Sequence, residues 1–303
     1  MTSFSFLGGF LFIVCFCLPQ HTSSFALAPQ PVSKLLDIYK DDIATLKEEA
    51  IKIVGPLEDQ PYANDVFFLR FCLSDDDSLP LLKNNLQWRK GPGSAICEAA
   101  EAAIAKSSQD GKWNNGPVRD AAPYASIVNK YITEKNCLTT STNKGDLVYC
   151  IRAGKIDDTG LMESIGDSSN MVDFFLYCKE VNTAVANSRS LEQDRLVCIV
   201  TANDLAGVKL VGGSKEFRTA LSDSSKLSVD LYPNVAGPTL LLNLPALLGA
   251  LVKLFTPLFP AEVKKKLRFE RGPLKDVDSL TEITSGPGKQ EFLSSLDNLV
   301  YSD

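Results

Sequence analysis

LSVDLYPNVAGPTLLLNLPALLGALVKLFTPLFPAEVKKKLRFERG, residues 227–272, is the stretch of sequence that decides the fold. Its first residues repeat apolar side chains at helical spacing, and Pro233 with Gly237 ends that helix. The run that follows, TLLLN at 239–243, has the length and apolar character of a strand covered on both faces. The stretch therefore predicts a helix that leads into a buried parallel strand.

Residues 245–257, called the wall segment below, predict a nearly uncharged helix with a proline at each end. One side carries Leu247, Leu248, Leu251, Leu254 and Phe255. Only Lys253 is charged, so the helix must cover a core, cover an apolar ligand or lie on a membrane. A transmembrane span is the rival interpretation, but prolines interrupt the roughly 20 apolar residues that a span needs.

Apolar periodicity divides the rest of the chain into a helical part and an alternating part. Helices are predicted at 34–54, 64–72, 78–90 and 94–107. After the polar stretch near 110–117, strands are predicted at 147–152, 196–200, 239–242 and 266–269, with helices at 171–190 and 215–232. The order predicts an α/β fold in which an N-terminal helical lobe precedes a mainly parallel β-sheet with crossover helices around an apolar pocket.

Motifs at both ends of the predicted domain carry a family resemblance. The C-terminal set is Tyr232-Pro233, Asn243, Pro245, Leu254-Phe255, Pro257 and Lys264-Lys265-Lys266. The N-terminal set is Phe68-Leu69-Arg70-Phe71, Leu82 and Leu86-Gln87-Trp88-Arg89. Their order and spacing resemble the CRAL-TRIO family, the lipid-binding domain of phosphatidylinositol transfer proteins and of tocopherol or retinaldehyde carriers. Residues 145–149 and 196–200 are similar to the first two core strands of that family.

Two departures from the family pattern bear on the ligand. Family members that bind phosphatidylinositol usually have an acidic residue after the Tyr-Pro pair, and Asn234 stands there in this chain. The inositol-phosphate lysine of the family would fall on Lys266, so only one member of that pair is kept. The family also has an aspartate directly after its second strand, whereas here three residues separate the run at 196–200 from Asp204. We therefore expect a remodelled turn.

The resemblance implies a gated apolar pocket for a phospholipid or an isoprenoid-type lipid. The wall segment would be its movable side, and Lys266 would contact an anionic head group. The predicted apolar lining consists of Tyr149, Phe174, Phe175, Tyr177, Val200, Leu242, Leu248, Leu251 and Phe255. Each of these has an alternative as ordinary core. The basic residues at 264–271 could dock on anionic lipid or form a solvated strand edge.

Residues 1–33 contain no Asp, Glu, Lys or Arg, and 4–18 is an apolar segment of signal-peptide length. SFALAP at 24–29 resembles the bipartite plastid presequences of algae with secondary plastids. Plastid import is therefore expected, with secretion or the endomembrane system as the alternative. The predicted division is a presequence at 1–33, a helical lobe at 34–110, the lipid-binding domain at 111–273 and a polar tail at 274–303.

The inventory of catalytic side chains predicts no enzyme and no cofactor other than a bound lipid. The only histidine is His21 in the presequence, which excludes Ser-His, Cys-His and histidine-metal sites from the mature chain. Asp75-Asp76-Asp77 could suggest a metal, but acidic residues also favour the start of a helix. Six cysteines beyond the presequence permit three disulfides, and free thiols are the favoured state.

Expected partners are the lipid and, transiently, a membrane surface, with the chain a monomer. A net charge of −6 argues against nucleic-acid binding. The competing interpretation is a protein-interaction scaffold at a membrane surface, with a collapsed or permanently filled pocket. Retained or exchangeable lipid would separate the two.

Overall fold

The computed structural model describes residues 30–74, 77–107, 114–140, 146–208, 213–243 and 267–269. An N-terminal lobe of helices precedes a five-stranded, mainly parallel sheet with crossover helices. The predicted α/β fold with a helical N-terminal lobe is confirmed.

Five helices form the N-terminal lobe: α1 (Val32–Ile38), α2 (Lys40–Val54), α3 (Asp65–Cys72), α4 (Ser78–Lys90) and α5 (Ser94–Ser107). A short 3-10 helix, Leu57–Asp59, lies between α2 and α3. The prediction of one helix at 34–54 is wrong, because Tyr39 leaves helical geometry and a new helix starts at Lys40. Asp41 and Asp42 lie in the first turn of α2, where negative charge is favourable.

Side-chain caps explain why the predictions for the next two helices hold. Asn64 accepts a hydrogen bond from the Phe67 amide at 3.0 Å and starts α3. Asp77 accepts one from the Leu79 amide at 3.2 Å and starts α4. The helix-start interpretation of Asp77 is thus confirmed, whereas Asp75 and Asp76 lie outside the described residues.

The sheet has the strand order β1 (Cys137–Thr140), β2 (Leu147–Arg152), β3 (Ile199–Asp204), β4 (Ala236–Leu242) and β5 (Leu267–Phe269). β1 pairs with β2 in antiparallel orientation, and all the other neighbours are parallel. The sequence did not predict β1, which is an edge strand. Of the predicted strand 266–269, residue 266 lies outside the described residues.

The strand predicted at 196–200 is displaced in the structure, where β3 begins at Ile199 and ends at Asp204. The amides of Val197 and Cys198 donate to side chains instead of to a neighbouring strand: the Cys198 amide donates to Asp146 Oδ1 at 2.8 Å. Asp204 therefore ends the strand itself and accepts a hydrogen bond from the Ala206 amide at 2.9 Å. The turn begins after Asp204, and the expected remodelling of this turn stays a prediction.

The connections are helical. Two helices precede β1, namely α6 (Asn115–Ala121) and α7 (Ala125–Tyr131). The connection from β2 to β3 contains a 3-10 helix at Ala153–Lys155, then α8 (Asp158–Ile165) and α9 (Ser168–Gln193). The connection from β3 to β4 contains α10 (Lys215–Leu231). α9 is the central helix, with buried residues from Met171 to Ser190, and it packs against α10, α5 and the sheet. The predicted helices 171–190 and 215–232 are both present, α9 being longer.

Arg70 of α3 joins the lobe to the sheet domain. Its side chain is 2% exposed. The guanidinium donates to Asn187 Oδ1 at 2.6 Å, to the Val197 carbonyl at 2.7 Å and to the Asn234 carbonyl. The acceptors are neutral, and burial lowers the pKa of Arg70 to about 10, which leaves the group charged at neutral pH.

A second buried arginine joins the lobe to α9. Arg89 of α4 donates two hydrogen bonds to the Glu180 carboxylate, at 2.9 and 2.8 Å, and Asn85 accepts from its Nε at 3.0 Å. The Tyr62 ring lies 4.0 Å from the guanidinium carbon of Arg89. The α9 helix is therefore held by the lobe at two positions, Glu180 and Asn187.

We predict that Arg70→Lys lowers the free energy of unfolding by about 3 kcal/mol, because one ammonium cannot reach three divergent buried acceptors. Denaturant unfolding of the full chain measures this. The matched control is Arg218→Lys on α10, whose side chain is partly exposed and which should change stability by about 0.5 kcal/mol or less. Equal effects of the two substitutions would contradict the assigned role of Arg70.

Candidate functional site

The register of the sheet assigns its side chains to two faces. Residues paired across neighbouring strands point to the same face, and successive residues alternate. One face carries Val148, Cys150, Val200, Ala202, Leu240 and Leu242, all buried and all apolar. The other, called the helix face, carries Leu147, Tyr149, Ile199, Thr201, Thr239 and Leu241.

The helix face lies against α9. Leu147 and the partly buried Ile199 pack with Val185 and Ala186 of that helix. Tyr149 lies two residues further along β2 on the same face, and Cys178 of α9 contributes to the electrostatic environment of its hydroxyl group. The space between the sheet and α9 thus includes polar groups among apolar ones.

Tyr149, Cys137 and Cys178 form a cluster in this space. The Cys137 thiol donates to the Tyr149 hydroxyl oxygen at 3.2 Å. Burial raises the pKa of Cys137 to about 11 and holds the pKa values of Tyr149 and Cys178 well above their ordinary values, which the nearby Arg119 partly offsets. All three nevertheless keep an intermediate exposed fraction. The three residues thus combine desolvated polar groups with surface that another molecule could contact.

The aromatic residues predicted to line the pocket lie on α9. Phe174 and Phe175 are each 7% exposed, and Phe175 meets the Phe217 ring of α10 edge-on at 5.8 Å between centroids. Tyr177 is fully buried and donates to the Val118 carbonyl of α6 at 2.8 Å. Tyr177 is thus engaged with α6.

The remaining predicted lining residues are separated from this space or lie outside the described residues. Val200 and Leu242 are fully buried on the face opposite to Tyr149, so the structure does not bring them together with it. The wall segment with Leu248, Leu251 and Phe255, together with Lys266, lies outside the described residues. The presequence up to residue 29 and the tail at 274–303 lie outside them too.

Residues 132–282 match the family model of the CRAL/TRIO domain. The chain carries a CRAL/TRIO domain. Among solved structures, one titled "Crystal structure of Sfh5" is similar at 14% sequence identity and a TM-score of 0.41, over 64% of this chain. This chain spans 58% of the length of that structure. No curated protein matches the chain.

The matched range begins at Ile132, five residues before β1, so the CRAL/TRIO domain contains the whole sheet and the cysteine–tyrosine cluster. The structure places the cysteines of the described residues as free thiols. This agrees with the sequence interpretation. Within the described ranges, none of the helices combines the length and apolar character needed to cross a membrane.

Asn234 of the CRAL/TRIO domain faces the lobe. Its side-chain amide donates to the Arg70 carbonyl at 2.9 Å, and its own carbonyl accepts from the Arg70 guanidinium. Its φ of 56° lies in the left-handed region, which asparagine tolerates better than most residues. The position that is acidic in phosphatidylinositol-binding members is therefore used here for the contact between lobe and domain.

Sequence reasoning missed Cys137 and Lys179 as features of the interior, and it did not bring Cys178 together with Tyr149. Alternation along β2 could have placed Tyr149 apart from Val148, but the helical partners of Tyr149 come from tertiary packing. Lys179 donates to Ser228 Oγ at 2.6 Å, and desolvation lowers its pKa to about 8. An amine held between α9 and α10 is costly to keep charged.

We predict that stability depends on pH through Lys179. With a native pKa near 8 and an unfolded pKa near 10.4, the unfolded chain binds the proton more strongly between these values. The unfolding free energy of the wild type should therefore rise relative to that of Lys179→Met as pH increases from 8 to 10. Denaturant unfolding at each pH checks this, with the exposed Lys226→Met as control. A difference that is constant over this range would contradict it.

Proposed function

We propose that this chain binds a hydrophobic ligand, a phospholipid or an isoprenoid-type lipid, in a gated pocket and transfers or presents it between membranes. The CRAL/TRIO domain supports lipid binding and transfer at the level of the family. The observation that carries the proposal is the accessible surface that Tyr149, Cys137 and Cys178 keep inside the domain. A cavity between the sheet and α9 is where such a ligand would lie.

The topology supports placing the wall segment over the same cavity. α9 joins β2 to its parallel neighbour β3 on the helix face. β4 and β5 are parallel neighbours too, and connections between parallel strands are right-handed in almost all proteins. Because the strands follow one another in order across the sheet, a right-handed connection from β4 to β5 would run over the helix face. We propose that the wall segment closes the cavity there and opens at its two prolines.

The proposed pocket is lined by residues of β2, α9 and the wall segment. Tyr149, Phe174 and Phe175 would border the ligand, together with Leu248, Leu251 and Phe255 of the wall segment. Lys266 would contact the head group if the ligand is an anionic phospholipid. Val200 and Leu242 belong to the opposite face and are better described as core, and the engagement of Tyr177 with α6 favours the same description for it.

Burial of acyl chains cannot by itself select the ligand. Each buried CH2 gains about 0.8 kcal/mol relative to water, and a bilayer provides much the same gain. Net exchange must therefore depend on contacts to the polar part of the ligand and on the free energy of opening the wall. The proposed role is that of a carrier without catalysis and without a further cofactor, acting as a monomer that meets membranes transiently.

A plastid is the proposed destination, reached through a signal peptide and a transit segment, with secretion or the endomembrane system as the alternative. The features that support this are the uncharged residues 1–33 and the motif at 24–29. Imaging of a fusion that carries a fluorescent protein at its C-terminus distinguishes these destinations.

A scaffold without transfer activity is the second candidate, favoured by the close packing of the α9 aromatics. Phe174, Phe175 and Tyr177 are at most 7% exposed and belong to one apolar cluster with α8 and α10. A scaffold of this kind would hold no exchangeable lipid.

We predict that the purified full chain retains one dominant lipid, identified by mass spectrometry of an organic extract, and exchanges it with labelled vesicles. Cys178→Phe should reduce the lipid retained per protein several-fold, because the added ring would occupy the cavity beside Tyr149. Ser188→Phe, at an exposed position of the same helix, is the matched control and should retain lipid as the wild type does. A protein that is empty and takes up no labelled lipid would contradict the carrier function and support the scaffold.

A further inference from the structure

A row of hydroxyl groups crosses the helix face of the sheet. Thr139 of β1 pairs with Tyr149 of β2, Tyr149 with Thr201 of β3, and Thr201 with Thr239 of β4. Because paired residues point to the same face, the four side chains stand side by side on neighbouring strands. At about 4.8 Å between strands the row is about 14 Å long.

The row lies under α9 within the CRAL/TRIO domain. Tyr149, its second member, adjoins Cys178 of α9 and the thiol of Cys137. Thr239 is 3% exposed, whereas Thr139, Tyr149 and Thr201 keep intermediate exposure. Three of the four hydroxyl-bearing residues thus retain surface that a ligand in the cavity could contact.

The opposite face shows that the hydroxyl row is not a general property of this sheet. The neighbouring positions on that face are Val148, Cys150, Val200, Ala202 and Leu240, all buried and apolar. Polar groups in an interior cost free energy unless they are hydrogen-bonded, and a row of them between a sheet and its covering helices suits a polar ligand group. The ligand's polar part is therefore expected along the row.

Each charged group near the row already has an acceptor within the protein. Arg119 lies close enough to offset part of the raised pKa of Tyr149, but its guanidinium donates to the Ile132 carbonyl at 2.6 Å. The Lys179 ammonium donates to Ser228 Oγ at 2.6 Å and to the Ser224 carbonyl at 3.4 Å. The row therefore offers a ligand mainly hydroxyl groups, which can both donate and accept hydrogen bonds.

We propose that the ligand is a lipid with an uncharged, hydroxyl-bearing head group, such as a sugar on diacylglycerol, and that the head group lies along Thr139, Tyr149 and Thr201, the accessible members of the row. This rests on the proposed lipid-carrier function and specifies its substrate class. A row of neutral donors and acceptors suits a head group with several hydroxyls. A phosphate would instead need paired cations or amides, and the amide of Asn234 is bound to Arg70.

The test offers the full chain a choice of head groups. Delipidated protein is incubated with phosphatidylcholine vesicles that contain equal amounts of monogalactosyldiacylglycerol and phosphatidylinositol, and the lipid it carries after re-isolation is quantified by mass spectrometry. We expect the galactolipid to exceed phosphatidylinositol and phosphatidylcholine, after correction for vesicle content, by about tenfold. Thr201→Val, which removes one hydroxyl at nearly constant shape, should lower galactolipid loading about fivefold, the effect of one lost hydrogen bond.

Three further variants make the result specific. Thr139→Val, at the other end of the accessible part of the row, should also lower galactolipid loading. Thr45→Val, an exposed position in α2, should leave it unchanged. Lys266→Gln tests the alternative: a loss of lipid loading in this variant would indicate an anionic head group and overturn the inference. Thermal unfolding confirms that each variant is folded before it is compared.

The outcomes separate this inference from the carrier function. Preferential loading of phosphatidylinositol or phosphatidylcholine, or galactolipid loading that Thr201→Val and Thr139→Val leave unchanged, would overturn the inference and leave the carrier function standing. A chain that loads none of these lipids and releases none on extraction would overturn both.

Discussion

The buried guanidinium of Arg70 is the contact on which the arrangement of lobe and sheet depends. Its three hydrogen bonds go to neutral oxygens that come from separate parts of the chain. Asn187 is near the end of α9, Val197 precedes β3, and Asn234 precedes β4. A charge in this position is tolerable only while all its donors are satisfied, so the three segments must meet at one place. The cation therefore couples the lobe to the entry of the two central strands.

Arg89 and Glu180 provide a second attachment of a different kind. Here the buried cation has a bidentate anionic partner, and desolvation of both groups offsets much of the attraction between them. Such a pair contributes more to the choice of one arrangement than to the free energy of folding. Glu180 and Asn187 lie seven residues apart on one side of α9, while Cys178 of the same helix lies near Tyr149 of the sheet. The lobe thus sets the position of the helix that forms one side of the proposed site.

The sequence predicted best those elements whose ends are determined locally. The bounds of α4 follow from the Asp77 cap and from Gly91 beyond its last turn, both of which are visible in the sequence. The segment at 196–198 was misassigned because an apolar run does not reveal that its amides bind Asp146 and Ser190 side chains. The sequence does not separate Val200 and Leu242 from Tyr149, because alternation gives each strand two faces but not which positions of different strands share a face. That phase is fixed only by the register between strands, which is a tertiary property.

Asn234 has a consequence for how ligand preference could change during evolution. An acidic side chain in its place would lose the amide that donates to the Arg70 carbonyl, and a longer side chain would fit its left-handed backbone less well. A route toward the phosphatidylinositol-binding pattern therefore requires a compensating change in α3 or in the turn before β4. Intermediates that acquire the acid first would carry a weakened junction. Selection for stability would thus oppose a change of head-group preference at a residue that is bonded to the helical lobe.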